Sequence, residues 1–175
     1  YAEEGFFFTD PNIYDFLFSY RKGWFVYTPL MLVAIIGILC LKNKWKSLQA
    51  PVTVLIVVSV YFLSSWWTWW FGGGLGMRAM IQYYCFLAFP LAALLEWSCR
   101  RKWALAFILP IALAFGYFGY LNNHKYRHST IHWDSMSKEA FWFTFGKKHF
   151  SPEDYEKMEK LIDPPDYEAA LKGDR

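Results

Sequence analysis

Four apolar runs of roughly membrane-spanning length, residues 24–41, 51–70, 77–97 and 103–121, limit what this chain can fold into. Crossing hydrocarbon takes about 20 mainly apolar residues in a helix. No water is present there to satisfy backbone N–H and C=O groups, so only helices or closed barrels cross. The runs lack the alternation of barrel strands, which leaves helices. The pattern predicts an all-α integral membrane fold with about four transmembrane helices. These occupy 24–121, after an external interfacial segment, 1–23, and before an extracytoplasmic C-terminal cap, 122–175. Hydrophobic residues make up 55% of the chain and are concentrated in the runs, whereas a soluble domain would mix the two classes.

Lysine and arginine in short loops set the expected orientation. Lys42, Lys44 and Lys46 follow the first run, and Arg100, Arg101 and Lys102 follow the third. Connections 42–50 and 98–102 are therefore expected in the cytoplasm. Segments 1–23, 71–76 and 122–175 then face outward, at a bacterial inner membrane the periplasmic side. Cys40, Cys85 and Cys99 all fall in or beside apolar runs, a pattern of small buried side chains and not of a disulfide framework. The chain opens at Tyr1 without signal-peptide features, which predicts the C-terminal part of a longer protein.

Finer punctuation places the elements. Asp10-Pro11 reads as an N-cap and N1 proline, and Ile13, Phe16, Leu17 and Tyr20 follow at helical spacing toward Gly23. This predicts an amphipathic helix of about ten residues along the outer interface, delivering Arg21 and Lys22 to the surface. Pro51 fits the first turn of the second span, while Pro90 and Pro110 are expected to kink spans three and four. In the tail, Ser151-Pro152-Glu153-Asp154 is a near capping box, with Pro164-Pro165 beyond as the stop. Asp166 caps a last short helix through Leu171, with Gly173 after it. Phe141, Trp142, Phe143 and Phe145 are too apolar for water and are expected to pack on the bundle or dip into the interface, which makes the tail a docked cap.

Between the second and third runs lies the segment Trp66-Trp67-Thr68-Trp69-Trp70-Phe71-Gly72-Gly73-Gly74-Leu75-Gly76-Met77-Arg78. Tryptophan collects at the membrane–water interface, where an apolar ring and a polar N–H are both served. Glycine lets backbone N–H groups approach a ligand, and arginine clamps phosphate in bidentate fashion. Arg78, Gly72, Gly73, Gly74 and Gly76 form the candidate phosphate site. Trp69 and Trp70 are candidates for stacking on a sugar or lining a prenyl groove, and Arg21 and Lys22 for further phosphate contacts. The competing reading is an ordinary aromatic belt with snorkelling cations.

Other clusters carry less. His124, His128 and His132 recur every four residues near Asp134, a metal face only on a continuous helix. No metal or other cofactor is expected. Glu3, Glu4, Asp10 and Asp15 are external carboxylates that read as caps and solvated charge, and Glu96 reads as an ion-pair partner of Arg100. The net charge of +3, divided by the membrane, excludes a nucleic-acid surface. No catalytic triad, P-loop or dinucleotide glycine pattern is present.

The run Tyr20-Arg21-Lys22-Gly23-Trp24-Phe25-Val26-Tyr27-Thr28-Pro29 resembles the entry to a span in bacterial polytopic glycosyltransferases of the GT-C class, such as protein mannosyltransferases and aminoarabinose transferases. The segment Trp69–Arg78 is similar to their aromatic-glycine-arginine loop, which precedes a span ending like Phe89-Pro90-Leu91-Ala92. Tail segments 131–140 and 165–170 also resemble the C-terminal end of bacterial members. The resemblance implies transfer of a sugar from a polyprenyl-phosphate donor to a cell-envelope acceptor on the outer face of the membrane. It implies a catalytic carboxylate in an N-terminal loop outside this chain, so that the chain alone is inactive and its partners are the donor lipid, membrane lipids and the protein's own N-terminal helices. The alternative is a non-catalytic membrane scaffold of an envelope complex. A small transporter is disfavoured by the scarcity of charge within the spans.

Overall fold

A computed structural model describes residues 4–42 and 45–175, so Glu3 and Lys44 lie outside the described residues. In chain order the helices are α1 (Ile13–Phe18), α2 (Trp24–Tyr27), α3 (Leu30–Gly37), α4 (Lys46–Ser64), α5 (Tyr84–Cys99), α6 (Lys102–Arg127), α7 (Lys138–Phe145), α8 (Pro152–Glu159) and α9 (Tyr167–Leu171). Short 3-10 turns follow α3 at Ile38–Cys40 and lead into α5 at Arg78–Tyr83. Among the described residues there is no strand beyond an isolated bridge between Phe6 and Trp66.

Among the described residues three helical stretches are long and apolar enough to cross a membrane: Lys46–Ser64, Arg78–Cys99 and Lys102–Arg127. Their outward faces are hydrophobic, with Val54, Val57, Phe86, Phe107 and Leu113 all exposed. The first apolar run differs from the expected single span, because it breaks at Thr28-Pro29 into α2 and the shorter α3. Proline disfavours helical backbone in the residue before it, and Thr28 leaves the helix at φ −132°, ψ 64°. Its backbone N–H and its hydroxyl both donate to Trp24 O, at 3.0 and 2.7 Å, closing α2 after one turn.

The second helix is displaced from the expected 51–70. It starts at Lys46, so Pro51 sits inside it and not in its first turn, and it stops at Ser64. The stop has a tertiary cause. Phe7 N–H and Asn12 N–H donate to Ser65 O and Ser64 O at 2.7 and 3.0 Å, taking the carbonyls in place of another helical turn. The tryptophans therefore occupy a turn beyond the helix and not its last residues. Buried Arg175 lies over the Phe7 ring at 4.5 Å, donates to Ser65 O and Trp66 O at 3.4 Å, and fixes the C-terminus to this turn.

The interfacial helix is shorter than expected, six residues ending at Phe18, with Asn12 and not Asp10 at its N-cap, Phe16 buried and Tyr14 and Phe18 outward. Gly23 does not end it. Gly23 instead opens α2, where a Cβ would lie 2.4 Å from Ser19 O. In the bundle, α3 packs against α5 at closest approach beside Gly37, where a Cβ would stand 2.2 Å from Pro90 O. Phe16, Trp24, Leu41, Met80 and Leu87 fill this core.

The tail packs against the bundle through part of its aromatic run. Ala140, Phe141, Met136 and Met158 bury against Tyr27 and Ile131, leaving Trp142 and Phe145 exposed. The Ser151–Asp154 capping box is complete, and Asp166 caps α9 by accepting from Glu168 and Ala169 N–H groups. Contacts between Lys22, Gly74 and Trp133 gather the N-terminal segment, the glycine turn and the tail at one end of the bundle. Lys42, Trp45, Trp97 and Arg100 surround one cavity at the other end.

Candidate functional site

The glycine turn is built by left-handed backbone. Phe71, Gly72, Gly74 and Gly76 all have positive φ, from 52° to 156°. At two of these positions only glycine fits. A Cβ on Gly76 would stand 2.7 Å from Tyr27 Cβ, and one on Gly74 would stand 2.9 Å from Arg78 Cδ. Glycine therefore lets the arginine stem lie along the turn. Arg78 opens the 3-10 stretch before α5, and its N–H donates to Gly76 O at 3.0 Å. Its side chain is exposed and has no ion-pair or hydrogen-bond partner among the described residues.

Arg78 borders a cavity of about 320 Å³ between the turn, α2, the start of α5 and the end of α6. Leu75, Met77 and Ile81 supply apolar walls, and Thr28, Tyr84 and Asn123 supply polar groups. Thr28 Oγ1 and Tyr84 OH are 3.2 Å apart, and Trp24 Nε1 donates to Tyr84 OH at 3.3 Å. Chemically this is a greasy slot with a few hydroxyls and one free guanidinium.

Lys22 is not at the surface. It is 1% exposed, and its Nζ donates to the carbonyls of Gly74 and Trp133. Gly74 N–H also donates to Trp133 O, at 3.3 Å, so one lysine ties the glycine turn to the tail. Burial lowers its pKa from 10.5 to about 8, with Asp134 opposing the shift and Arg78 and Arg21 adding to it. Asp134 is 2% exposed. Its Oδ2 accepts from Tyr167 OH at 2.7 Å, while Oδ1 is buried without a hydrogen-bond partner. Composition and spacing gave Asp134 and Tyr167 no part in this cluster, because they meet Lys22 only through docking of the tail.

Arg21 points elsewhere, pairing with Asp163 at 3.1 Å and lying 5.8 Å from the centre of Trp70. Trp69 and Trp70 are buried, edge-to-face at 5.6 Å. They line a second cavity with Arg21, Asp166 and Arg175, apart from the one at Arg78. Gly73 rests on the Trp133 ring, and Gly72 faces open space. The candidates thus divide into two neighbouring sets: Arg78 with Gly74 and Gly76, and Arg21 with Trp69 and Trp70. Lys22 feels the charge of both guanidinium groups.

The histidines regroup. Helix α6 runs through Arg127, so His124 and His128 do align, but the third ring beside them is His149, with centroids 4.4–5.2 Å apart. His132 is turned away, its Nδ1 accepting from Ser135 N–H at 2.9 Å. Burial lowers the His132 pKa, with Asp134 opposing and Lys22 adding to the shift. Among the described residues no group of three His, Cys, Asp or Glu side chains is placed to hold a metal ion. Asp10 faces Arg175 at 3.7 Å, Asp15 lies in the first turn of α1, and Glu4 makes no ion pair among the described residues. Glu96 pairs with Arg100 at 2.8 Å. Compared with known protein families, with curated proteins and with solved structures, this chain matches none.

Proposed function

We propose that this chain is the C-terminal membrane module of a GT-C-type glycosyltransferase, holding a polyprenyl-phosphate-linked sugar with the carrier phosphate on Arg78. The single observation that supports the reading most is an exposed guanidinium, without a partner among the described residues, that borders an apolar slot beside membrane-length helices. A prenyl phosphate presents the matching chemistry, a charged head on a hydrocarbon chain. Guanidinium binds such a head in bidentate fashion and stabilises charge as the phosphate departs from the sugar. In this reading the basic end of the bundle faces the cytoplasm and the glycine turn faces outward. No carboxylate of this chain is assigned as the base.

A second reading, a scaffold subunit, draws on exposed Trp133 and Trp142 on the docked tail. Direct binding separates the two. The detergent-solubilised chain is titrated with a polyprenyl monophosphate and the complex is counted by native mass spectrometry. Arg78→Ala is expected to weaken binding by at least about tenfold, the value of a charge-assisted hydrogen bond, with Arg78→Lys in between. Equal affinity of Arg78→Ala and the parent removes Arg78 from the role. Absence of any binding by the parent favours the scaffold.

A further inference from the structure

We propose that the cavity at the opposite end of the bundle, between the 38–40 turn, the start of α4 and the end of α5, holds the phosphate of an anionic lipid head group. The cavity has a volume of about 320 Å³ and is lined by Cys40, Lys42, Trp45, Glu96, Trp97 and Arg100. Its charge is one-sided. Lys42, Arg100 and Arg101 lie in the two connections at this end, Lys46 and Lys102 open the helices that follow them, and Glu96 is the sole carboxylate between residues 41 and 133. Arg100 already neutralises it, at 2.8 Å. The Arg101 guanidinium lies 4.6 Å from the centre of the Trp97 ring, so an indole wall and a cation are held together at the rim.

The helices that begin here reinforce the imbalance. Both α4 and α6 start at this end with no side-chain cap and no acidic residue in the first turn. A helix start carries partial positive charge and is stabilised by anions. Lysine at the first position of each adds charge of the wrong sign. The cavity is lined by Trp45, the N-cap residue of α4, so an anion in it relieves the excess at that helix start, and basic pockets between membrane helices take anionic head groups by this chemistry. Lipid is favoured over free phosphate by what borders the site. Leu39 is 68% exposed beside Cys40, and exposed Phe89 packs against Trp45, giving acyl chains apolar flanks to follow. The site needs a membrane but no glycosyl donor, so its failure and that of the Arg78 reading are distinguishable.

The test uses the whole chain reconstituted in phosphatidylcholine vesicles with or without phosphatidylglycerol, then extracted mildly and weighed by native mass spectrometry. The parent is expected to retain phosphatidylglycerol in preference to phosphatidylcholine. Lys42→Gln and Arg100→Gln are each expected to lower that preference about fivefold, the value of one cation near an anionic surface. Lys138→Gln, at the start of α7 among the tail elements, is the control and is expected to leave it unchanged. Equal retention of the two lipids by the parent overturns the proposal, as does a loss of the same size in the Lys138→Gln control. Inorganic phosphate added as competitor separates the sources: retained lipid supports a head-group site, and displacement overturns it in favour of free phosphate.

Discussion

Replacing Lys22 with methionine is expected to detach the tail from the glycine turn, at a net loss of about 3 kcal/mol. The ammonium serves two carbonyls, Gly74 O and Trp133 O, and hydrogen bonds from a charged donor contribute roughly 1.5–3 kcal/mol each. Lys22 is also a nearby cation for buried Asp134, whose Oδ1 has no hydrogen-bond partner. Against this, methionine removes the desolvation of the lysine itself. A pKa displaced from 10.5 to about 8 corresponds to about 3 kcal/mol. The lost hydrogen bonds and the stranded carboxylate outweigh that relief. Hydrogen exchange at residues 131–137 and 72–76 measures the outcome, and unchanged protection there would overturn the assignment of Lys22 as the tie.

The same lysine fixes a pH dependence. Its folded pKa lies below its unfolded value, so between about pH 8 and 10.5 the unfolded chain still holds a proton that the folded chain has released. Stability rises with pH wherever the unfolded state binds more protons. The parent is therefore expected to gain stability relative to Lys22→Met as pH climbs through that window. Below it, where both states carry the proton, this group contributes no slope. A difference between the two proteins that stays flat across the window contradicts the burial of a titrating ammonium.

Gly37→Leu is the second large effect expected. At that position α3 meets the backbone carbonyl of Pro90 inside α5. A side chain there would begin 2.2 Å from Pro90 O and 2.7 Å from Pro90 C, both backbone atoms that cannot rotate away. The helices have to part, opening the core around Ala34, Leu87 and Met31 at about 3 kcal/mol. Small residues permit close helix approach in membranes for the same steric reason. Thermal unfolding in detergent checks the loss. Gly116→Leu on α6, where nothing lies within 4 Å, is the matched control and should be tolerated. Equal stability of the Gly37 and Gly116 variants would discount the contact.

Much of the architecture was legible from residue order because its causes are local. Hydropathy along α4, α5 and α6 marks them as membrane-length helices, and Ser151 and Asp166 cap by hydrogen bonds to residues two or three positions on. The first run misleads for a reason that is also local. Its apolar character continues across Thr28-Pro29, but the proline geometry does not allow the helix to continue with it. The left-handed turn at Gly72, Gly74 and Gly76 was legible because glycine and positive φ go together.

What adjacency along the chain cannot encode is which distant group completes a polar atom. The stop of α4 at Ser64 depends on Phe7 and Asn12. Lys22 changes from a surface candidate to a buried tie because Gly74 and Trp133, 52 and 111 residues away, supply its acceptors. Among the described residues no carboxylate folds back to Arg78, and Trp69 and Trp70 turn toward Arg21 and the last residues of the chain. The sequence by itself determined the three membrane-length helices, the caps of α8 and α9 and the chemistry present at the turn, since backbone preference and burial of apolar surface act over a few residues. Tertiary structure alone decided which cations are consumed and which remain available, because a buried charge takes whatever partner the packing brings within reach.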